Sequence, residues 1–99
     1  MLTIEQIRNV ITDYFKDKPV KKVWLFGSYA RGEAKEDSDI DLLVNYDDTM
    51  DTVSLFDILR MKIELNKKFK KKVELVEEGR VYHRFQPYID KDRLKLYEV

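Results

Sequence analysis

The sequence contains no cysteine and a single histidine, His83, among its 99 residues. Without cysteine, the chain forms no disulfide, offers no thiolate to a metal and has no cysteine nucleophile. His83 has no obvious nucleophile near it in the sequence, so a Ser-His-Asp hydrolase is not indicated and His83 is expected to be a surface or packing residue. The side chains left for chemistry are carboxylates, hydroxyls and basic groups.

The sequence also lacks an excess of either charge and has no long hydrophobic run. Its 19 Lys and Arg residues balance 19 Asp and Glu residues, which gives no general attraction to nucleic acid or to an anionic membrane. Residues 1–9 carry charges among isolated apolar positions and contain no signal-peptide core. We therefore expect a cytoplasmic protein without membrane association or direct nucleic-acid binding.

The composition that is present predicts a folded chain. Hydrophobic residues make up 43% and aromatic residues 12% of the sequence, and the length is too short for two independent cores. One domain over residues 1–99 is predicted. Its first element is a helix from Thr3 to about Phe15, because Thr3 and Gln6 match a capping box ahead of an apolar periodicity.

Two short apolar runs predict the centre of a sheet. Residues 23–26 form a run that stops at Gly27-Ser28, and residues 40–44 form a second run between Asp and Asn residues. The intervening residues 29–38 are charged and contain a glycine, which indicates one helical turn and an exposed loop. Both runs are typical of central strands.

The second half of the chain predicts a long helix, a strand over 73–76 and an edge strand over 94–97. The helix extends from Thr52 to about Phe69. Its predicted buried stripe comprises Leu55, Phe56, Ile58, Leu59, Ile63, Leu65 and Phe69. The five lysines between 67 and 72 are expected to be a solvated helix end and not a nucleic-acid surface.

Residues 80–90 fit either a short helix that ends near Pro87 or a packed loop. The elements together predict an α/β (α+β) fold in which helices pack on a small mixed sheet of three to four strands.

Gly27-Ser28 stands where the first central strand gives way to the helical turn. Backbone N–H groups at such a junction point outward, Ser28 adds a hydroxyl donor, and Gly27 lets a phosphate approach the backbone. An ordinary turn has the same composition. The pair alone therefore does not distinguish a phosphate site from a turn.

Asp39 and Asp41 lie two residues apart at the head of the second strand, so both carboxylates project from one face. Mg²⁺ prefers such hard oxygen ligands, with substrate phosphates and water completing its shell. A solvated strand entry has the same pattern, but Asp41 lies inside an apolar run, where an ionised carboxylate is costly unless a cation or partner compensates it.

Glu74 is an acid inside the third strand. A neighbouring strand can bring it beside Asp39 and Asp41, where it completes a cluster of three carboxylates. The alternative is that Glu74 faces solvent and pairs with a lysine such as Lys72. The sequence does not choose between the two.

Taken together, Gly27-Ser28, ten residues and then Asp39-x-Asp41, flanked by strands, resemble the signature of the DNA polymerase β-like nucleotidyltransferase superfamily. The minimal nucleotidyltransferase branch of that superfamily has similarly short members. They often carry the Ala-Arg-Gly and Asp-Ser-Asp-Ile-Asp-Leu-Leu-Val stretches found here at 30–32 and 37–44. The motif covers residues 23–46.

The resemblance implies the polymerase β-like nucleotidyltransferase fold and an enzyme that uses two Mg²⁺ ions. Such an enzyme transfers a nucleoside monophosphate, AMP when ATP is the substrate, from a nucleoside triphosphate to an acceptor hydroxyl. By the same resemblance, Asp39 and Asp41 are catalytic metal ligands and Glu74 takes the third catalytic and metal-binding position. The family usually has Asp there, so the longer Glu departs from the pattern.

The resemblance also assigns nucleotide binding to Gly27 and Ser28. Arg31 either touches phosphate or is a surface residue that pairs with Glu33 or Asp37.

Minimal nucleotidyltransferases are frequently antitoxins that adenylylate a tyrosine of a helical HEPN-type toxin, so the resemblance implies such a partner. Tyr82, Phe85, Tyr88 and Tyr97 form a candidate docking surface, although core packing equally explains Phe85 and Tyr97. Two alternatives stay open. One is a non-catalytic nucleotide-binding module that neutralises its partner by binding; the other is an enzyme acting on a small molecule, as aminoglycoside nucleotidyltransferases do.

Overall fold

A computed structural model describes residues 1–47 and 53–99 of the chain. The elements in this part are α1 (Ile4–Phe15), β1 (Val20–Phe26), α2 (Gly27–Arg31), β2 (Ile40–Tyr46), α3 (Leu55–Phe69), β3 (Val73–Glu77), α4 (Gln86–Asp92) and β4 (Leu94–Glu98). Thr52, where the third helix was expected to begin, lies outside the described residues. In the described part, no helix has the length and apolar character needed to cross a membrane.

The four strands form one mixed sheet in the order β3-β2-β1-β4. β1 is antiparallel to β2 and to β4, whereas β2 and β3 are parallel. The predicted central strands are therefore central, and the predicted edge strand β4 lies at an edge. This topology brings the end of β1 and the starts of β2 and β3 to the same end of the sheet, where the candidate site residues are.

α1 follows the sequence prediction closely. The Thr3 hydroxyl accepts from the Gln6 backbone N–H at 3.1 Å, and the Gln6 side chain accepts from the Thr3 N–H at 2.8 Å. This reciprocal pair satisfies two N–H groups that the first helical turn cannot pair internally. The buried face of α1 then packs on the sheet through Ile7, Ile11, Tyr14 and Phe15.

The two faces of the sheet carry hydrophobic clusters of different size. The larger core includes residues of α1 and α3 together with Leu42 and Val44 of β2. The smaller cluster contains Trp24, Leu43 and Ile89 of α4. Because side chains alternate along a strand, Asp41 projects from the same face as Leu43. The acidic residue therefore lies on the face that α4 only partly covers.

The predicted orientation of α3 is wrong for four residues. Met61, Leu65 and Phe69 are buried, and Ile58 is partly buried against the core. The exposed residues of the predicted stripe are Leu55, Phe56, Leu59 and Ile63. Two sets of apolar residues recur every four positions along this helix, and periodicity alone does not say which set faces the sheet.

Of the two alternatives for residues 80–90, a short helix that ends near Pro87 is wrong. α4 begins at Gln86, so Pro87 lies in its first turn. Proline fits there because the first helical N–H groups have no intrahelical acceptor and the ring already has a helical φ.

Candidate active site

Gly27 is the residue at which β1 turns into α2. Its φ is +76°, in the left-handed region that side chains other than glycine rarely adopt. A Cβ atom placed on Gly27 would overlap the carboxylate of Asp41. Position 27 therefore requires glycine for two reasons, and the turn and the acid of β2 lie against each other.

Asp41 lies at the point where three strands meet. It is opposite Phe26 of β1 and opposite Glu74 of β3 in the strand register. Partial burial raises the pKa of the Asp41 carboxyl, and the negative charges of Asp39 and Glu74 raise the pKa further. The three acids are thus close enough to repel one another. A bound cation would relieve this repulsion.

Glu74 fits both alternatives that the sequence left open, a position beside Asp41 and an ion pair with a lysine. It is adjacent to Asp41 across the β2–β3 pair. Its carboxylate also lies 3.1 Å from the Nζ of Lys72 and 3.5 Å from the Nζ of Lys62. The hydrogen bond from Lys72 holds the pKa of Glu74 below its usual value. Both of its oxygens are therefore engaged by lysines.

Lys62 is a neighbour of the site that no sequence pattern singles out. It belongs to α3 and reaches Glu74 from outside the sheet. Within residues 1–47 and 53–99, no three His, Asp or Glu side chains are grouped closely enough to enclose a metal ion as they stand. Binding of a cation by all three acids would require Glu74 to leave its lysine partners.

Arg31, the last residue of α2, forms two ion pairs beside the turn. Its Nε lies 3.1 Å from Glu33, one of the two partners considered from the sequence, and its Nη1 lies 2.8 Å from Asp92 of α4. The pair with Asp92 joins α2 to α4, although Arg31 remains 42% exposed. Arg31 is therefore both a structural link and a cation accessible to a ligand.

A cleft of about 300 Å³ lies between α2 and α4 and shares Gly27 with the turn. Its lining residues are Phe26, Gly27, Arg31, Phe85, Tyr88, Ile89 and Asp92. Phe26, Ile89 and Asp92 were not selected from the sequence, because their contacts depend on how α4 folds back over the sheet.

The C-terminal aromatic residues divide into two groups. Tyr82, Phe85 and Tyr88, which we call the aromatic patch, are 58%, 56% and 71% exposed. Tyr97 is partly buried and packs against the core. His83 is exposed next to the ring of Tyr82.

The chain matches the nucleotidyltransferase domain family over residues 4–97. A Methanocaldococcus jannaschii protein provisionally named as a protein adenylyltransferase is 37% identical over 93 residues, which cover 94% of this chain and 91% of that protein. The protein adenylyltransferase MntA of Thermococcus cleftensis is 46% identical over 52 residues, which cover 48% of this chain and 52% of the relative. Similarity to such proteins agrees with the minimal nucleotidyltransferase signature at 27–41.

A solved complex of the tri-AMPylated Shewanella oneidensis HEPN toxin with MNT antitoxin contains a chain of similar structure. The TM-score is 0.71 at 20% identity, and the alignment covers 96% of this chain and 72% of that chain. At this identity the likeness establishes a shared fold. From the family match and these relatives together, this chain belongs to the nucleotidyltransferase domain family and is a nucleotidyltransferase.

Proposed function

We propose that this chain is an antitoxin that transfers AMP from ATP to a tyrosine hydroxyl of a HEPN-type toxin, with Mg²⁺ as cofactor. The observation that carries the proposal is the contact between Gly27 and the carboxylate of Asp41. This contact puts an acid directly against the turn that is expected to hold the triphosphate. Because ATP is the proposed substrate, we place the reaction in the cytoplasm.

The turn supplies the phosphate contacts in this proposal. The backbone N–H groups of Gly27 and Ser28 and the Ser28 hydroxyl donate to phosphate oxygens, and the missing Cβ at Gly27 permits close approach. Arg31 is placed to add a positive charge near the same phosphates, since it lines the cleft next to Gly27.

The acids fit a magnesium site by their chemistry. Asp39, Asp41 and Glu74 offer hard oxygen ligands, and the pKa of Asp41 is raised first by its burial and then by the negative charges of Asp39 and Glu74. These residues would hold two Mg²⁺ ions. When bound, Mg²⁺ neutralises phosphate charge and lowers the pKa of the attacking hydroxyl.

In the proposed reaction, the acceptor oxygen attacks the α-phosphorus of ATP in line with the bond to the leaving group. A new P–O bond forms to the tyrosine, the bond between the α-phosphorus and its bridging oxygen breaks, and pyrophosphate departs. The hydroxyl proton goes to solvent or to a carboxylate of the site. While Lys72 holds Glu74, the lowered pKa of Glu74 makes this carboxylate a weak proton acceptor.

The acceptor is proposed to be a protein because the described residues contain little beyond the elements that build the site. The aromatic patch borders the cleft next to Gly27 and offers exposed rings of the kind enriched at interfaces. The relative named as a protein adenylyltransferase and the AMPylated toxin in the similar complex support this choice of acceptor.

A second function is favoured by one observation, the pairing of Glu74 with Lys62 and Lys72. If these lysines hold Glu74 permanently, the chain is a module that neutralises its partner by binding alone. The product of the neighbouring gene, which this proposal takes to be a HEPN-type toxin, distinguishes the two. It is incubated with the chain, ATP and Mg²⁺, and the chain is then removed under dissociating conditions that the toxin survives.

An adenylylated toxin remains inactive after this removal, and omission of ATP abolishes the effect. A toxin that recovers full ribonuclease activity with ATP present contradicts the enzymatic proposal and supports the binding module.

A further inference from the structure

The outward face of α3 exposes large apolar residues that make no part of the core. Leu55 and Phe56 are each 79% exposed, Leu59 is 53% exposed and Ile63 is 48% exposed. Single exposed apolar residues are ordinary on a protein surface, but contiguous patches mark sites of interaction. We call these four residues the α3 stripe.

The α3 stripe has the spacing that a helix presents to another helix. Leu55, Leu59 and Ile63 are four residues apart and form one row, with Phe56 beside it. The helix that carries them has a defined start, since Ser54 and Asp57 form a capping box with hydrogen bonds of 3.0 and 3.1 Å. The stripe is therefore a fixed surface suited to a helical partner.

The stripe is continuous with the candidate active site. Lys62 lies three residues after Leu59 on α3, a spacing at which helical side chains are neighbours, and its Nζ is 3.5 Å from the carboxylate of Glu74. Glu74 in turn is the register neighbour of Asp41. A protein that covers Leu59 and Lys62 therefore extends to the β3 edge of the candidate site, where Glu74 lies.

The charges around the stripe indicate which kind of partner it would bind. At 3.6 residues per turn, Arg60 and Lys67 border Ile63 and Phe56 on one side of the row. Lys62 borders the other side, where it is paired with Glu74. Of the acids on this helix, Glu64 accepts a hydrogen bond from Tyr14 on the α1 side and Asp57 caps the helix. A symmetric contact between two copies would bring these basic borders together, whereas a partner with acidic margins complements them.

We propose that the α3 stripe is the docking surface for the acceptor protein, which meets it with a helical face that has an apolar centre and acidic margins. The inference rests on the proposed function, because it takes the acceptor to be the helical HEPN-type protein. Beyond the proposed function, the inference states where the acceptor binds and which residues hold it there.

The test measures the dissociation constant between this chain and the product of the neighbouring gene, which the proposed function takes to be a HEPN-type protein. Leu59→Glu and Ile63→Glu are compared with Val99→Glu, which places the same charge at another residue with an exposed side chain. All binding is measured in the Asp39→Asn/Asp41→Asn background, so that no transfer takes place. Each stripe variant is expected to weaken binding by about 30-fold or more, as loss of an interface hot spot does, and Val99→Glu by less than about twofold.

Thermal denaturation of each variant checks that the fold is intact. Binding that is unchanged in both stripe variants overturns the inference, as does a wild-type chain that does not bind this protein at all. The inference is also overturned if the wild-type chain is a homodimer that Leu59→Glu dissociates while the affinity for the partner protein is unchanged. Because binding is measured without catalysis, failure of AMP transfer would overturn the proposed function and leave this result standing.

Discussion

The carboxylate of Asp41 occupies the space that a Cβ atom at position 27 would need. Gly27 directly follows β1, and the antiparallel β1–β2 pair, in which Phe26 is opposite Asp41, holds it against the Asp41 side chain. The turn expected to hold phosphate and the acid expected to hold the metal are therefore one structural unit.

Gly27→Ala is predicted to damage this unit, and Gly32→Ala is its matched control. Both glycines have a left-handed φ, +76° and +75°, but a Cβ at Gly32 meets nothing within 4 Å. Gly32→Ala should cost about 1–2 kcal/mol of unfolding free energy from backbone strain alone. Gly27→Ala should cost about 1–3 kcal/mol more because of the overlap, and transfer activity should fall about 100-fold because the Asp41 carboxylate is displaced.

Denaturant unfolding and transfer kinetics of both variants check this prediction. In an Asp41→Ala background, the extra cost of Gly27→Ala should disappear. Equal losses of stability and activity in the two glycine variants would show that Asp41 does not depend on position 27.

Glu74→Gln is predicted to reduce transfer by about 10-fold to 100-fold, as loss of a residue supporting a metal does. Glu77→Gln is the control, since Glu77 lies on the same strand, pairs with Arg80 at 3.0 Å and projects from the opposite face. Initial rates at saturating ATP and varied Mg²⁺ concentration measure the effect. An unchanged rate and Mg²⁺ dependence in Glu74→Gln would exclude Glu74 from the metal site.

Arg31→Gln is predicted to raise the KM for ATP about tenfold or more with a smaller effect on kcat, because a charge-assisted contact to phosphate is lost. Asp92→Asn weakens the link to α4 and leaves the guanidinium of Arg31 in place, so the KM of this variant for ATP should change by less than about threefold. Steady-state kinetics with ATP compare the two. If both substitutions raise KM equally, Arg31 acts by joining α2 to α4 and not as a phosphate ligand.

Tyr29→Phe is predicted to stabilise the protein. Tyr29 is only 4% exposed, and its hydroxyl has no hydrogen-bond partner within residues 1–47 and 53–99. Removal of an unsatisfied buried hydroxyl should gain about 1 kcal/mol in the free energy of unfolding. Tyr14→Phe should have the opposite effect, because the Tyr14 hydroxyl donates to Glu64 at 2.5 Å. A destabilised Tyr29→Phe would contradict the account of this side chain.

The sequence predicted most of the fold because local signals were strong. The capping box fixed the start of α1, and the apolar runs at 23–26 and 40–44 identified the two central strands. The spacing from Gly27-Ser28 to Asp41 identified the family. These signals depend on residues close in sequence or on one recurrent motif.

The remaining features depend on contacts between distant parts of the chain. Arg31 and Asp92 are 61 residues apart, and Lys62 reaches Glu74 only because α3 packs beside β3. The predicted orientation of α3 was wrong because Leu59 and Leu65 belong to two rows of apolar residues with the same spacing. Only packing against the sheet distinguishes the two rows. The sequence therefore predicted which residues could form the site but not what surrounds them.

The most direct test of the proposed function is transfer of label from ATP to the product of the neighbouring gene, which the proposal takes to be a HEPN-type toxin. The wild-type chain and Asp39→Asn/Asp41→Asn are each incubated with that protein, Mg²⁺ and ATP labelled on either the α- or the γ-phosphorus. The account predicts a labelled tyrosine with α-labelled ATP and wild-type chain only, and no label from the γ-phosphorus. Absence of α-label on a partner that binds the wild-type chain tightly would contradict adenylyl transfer to this partner.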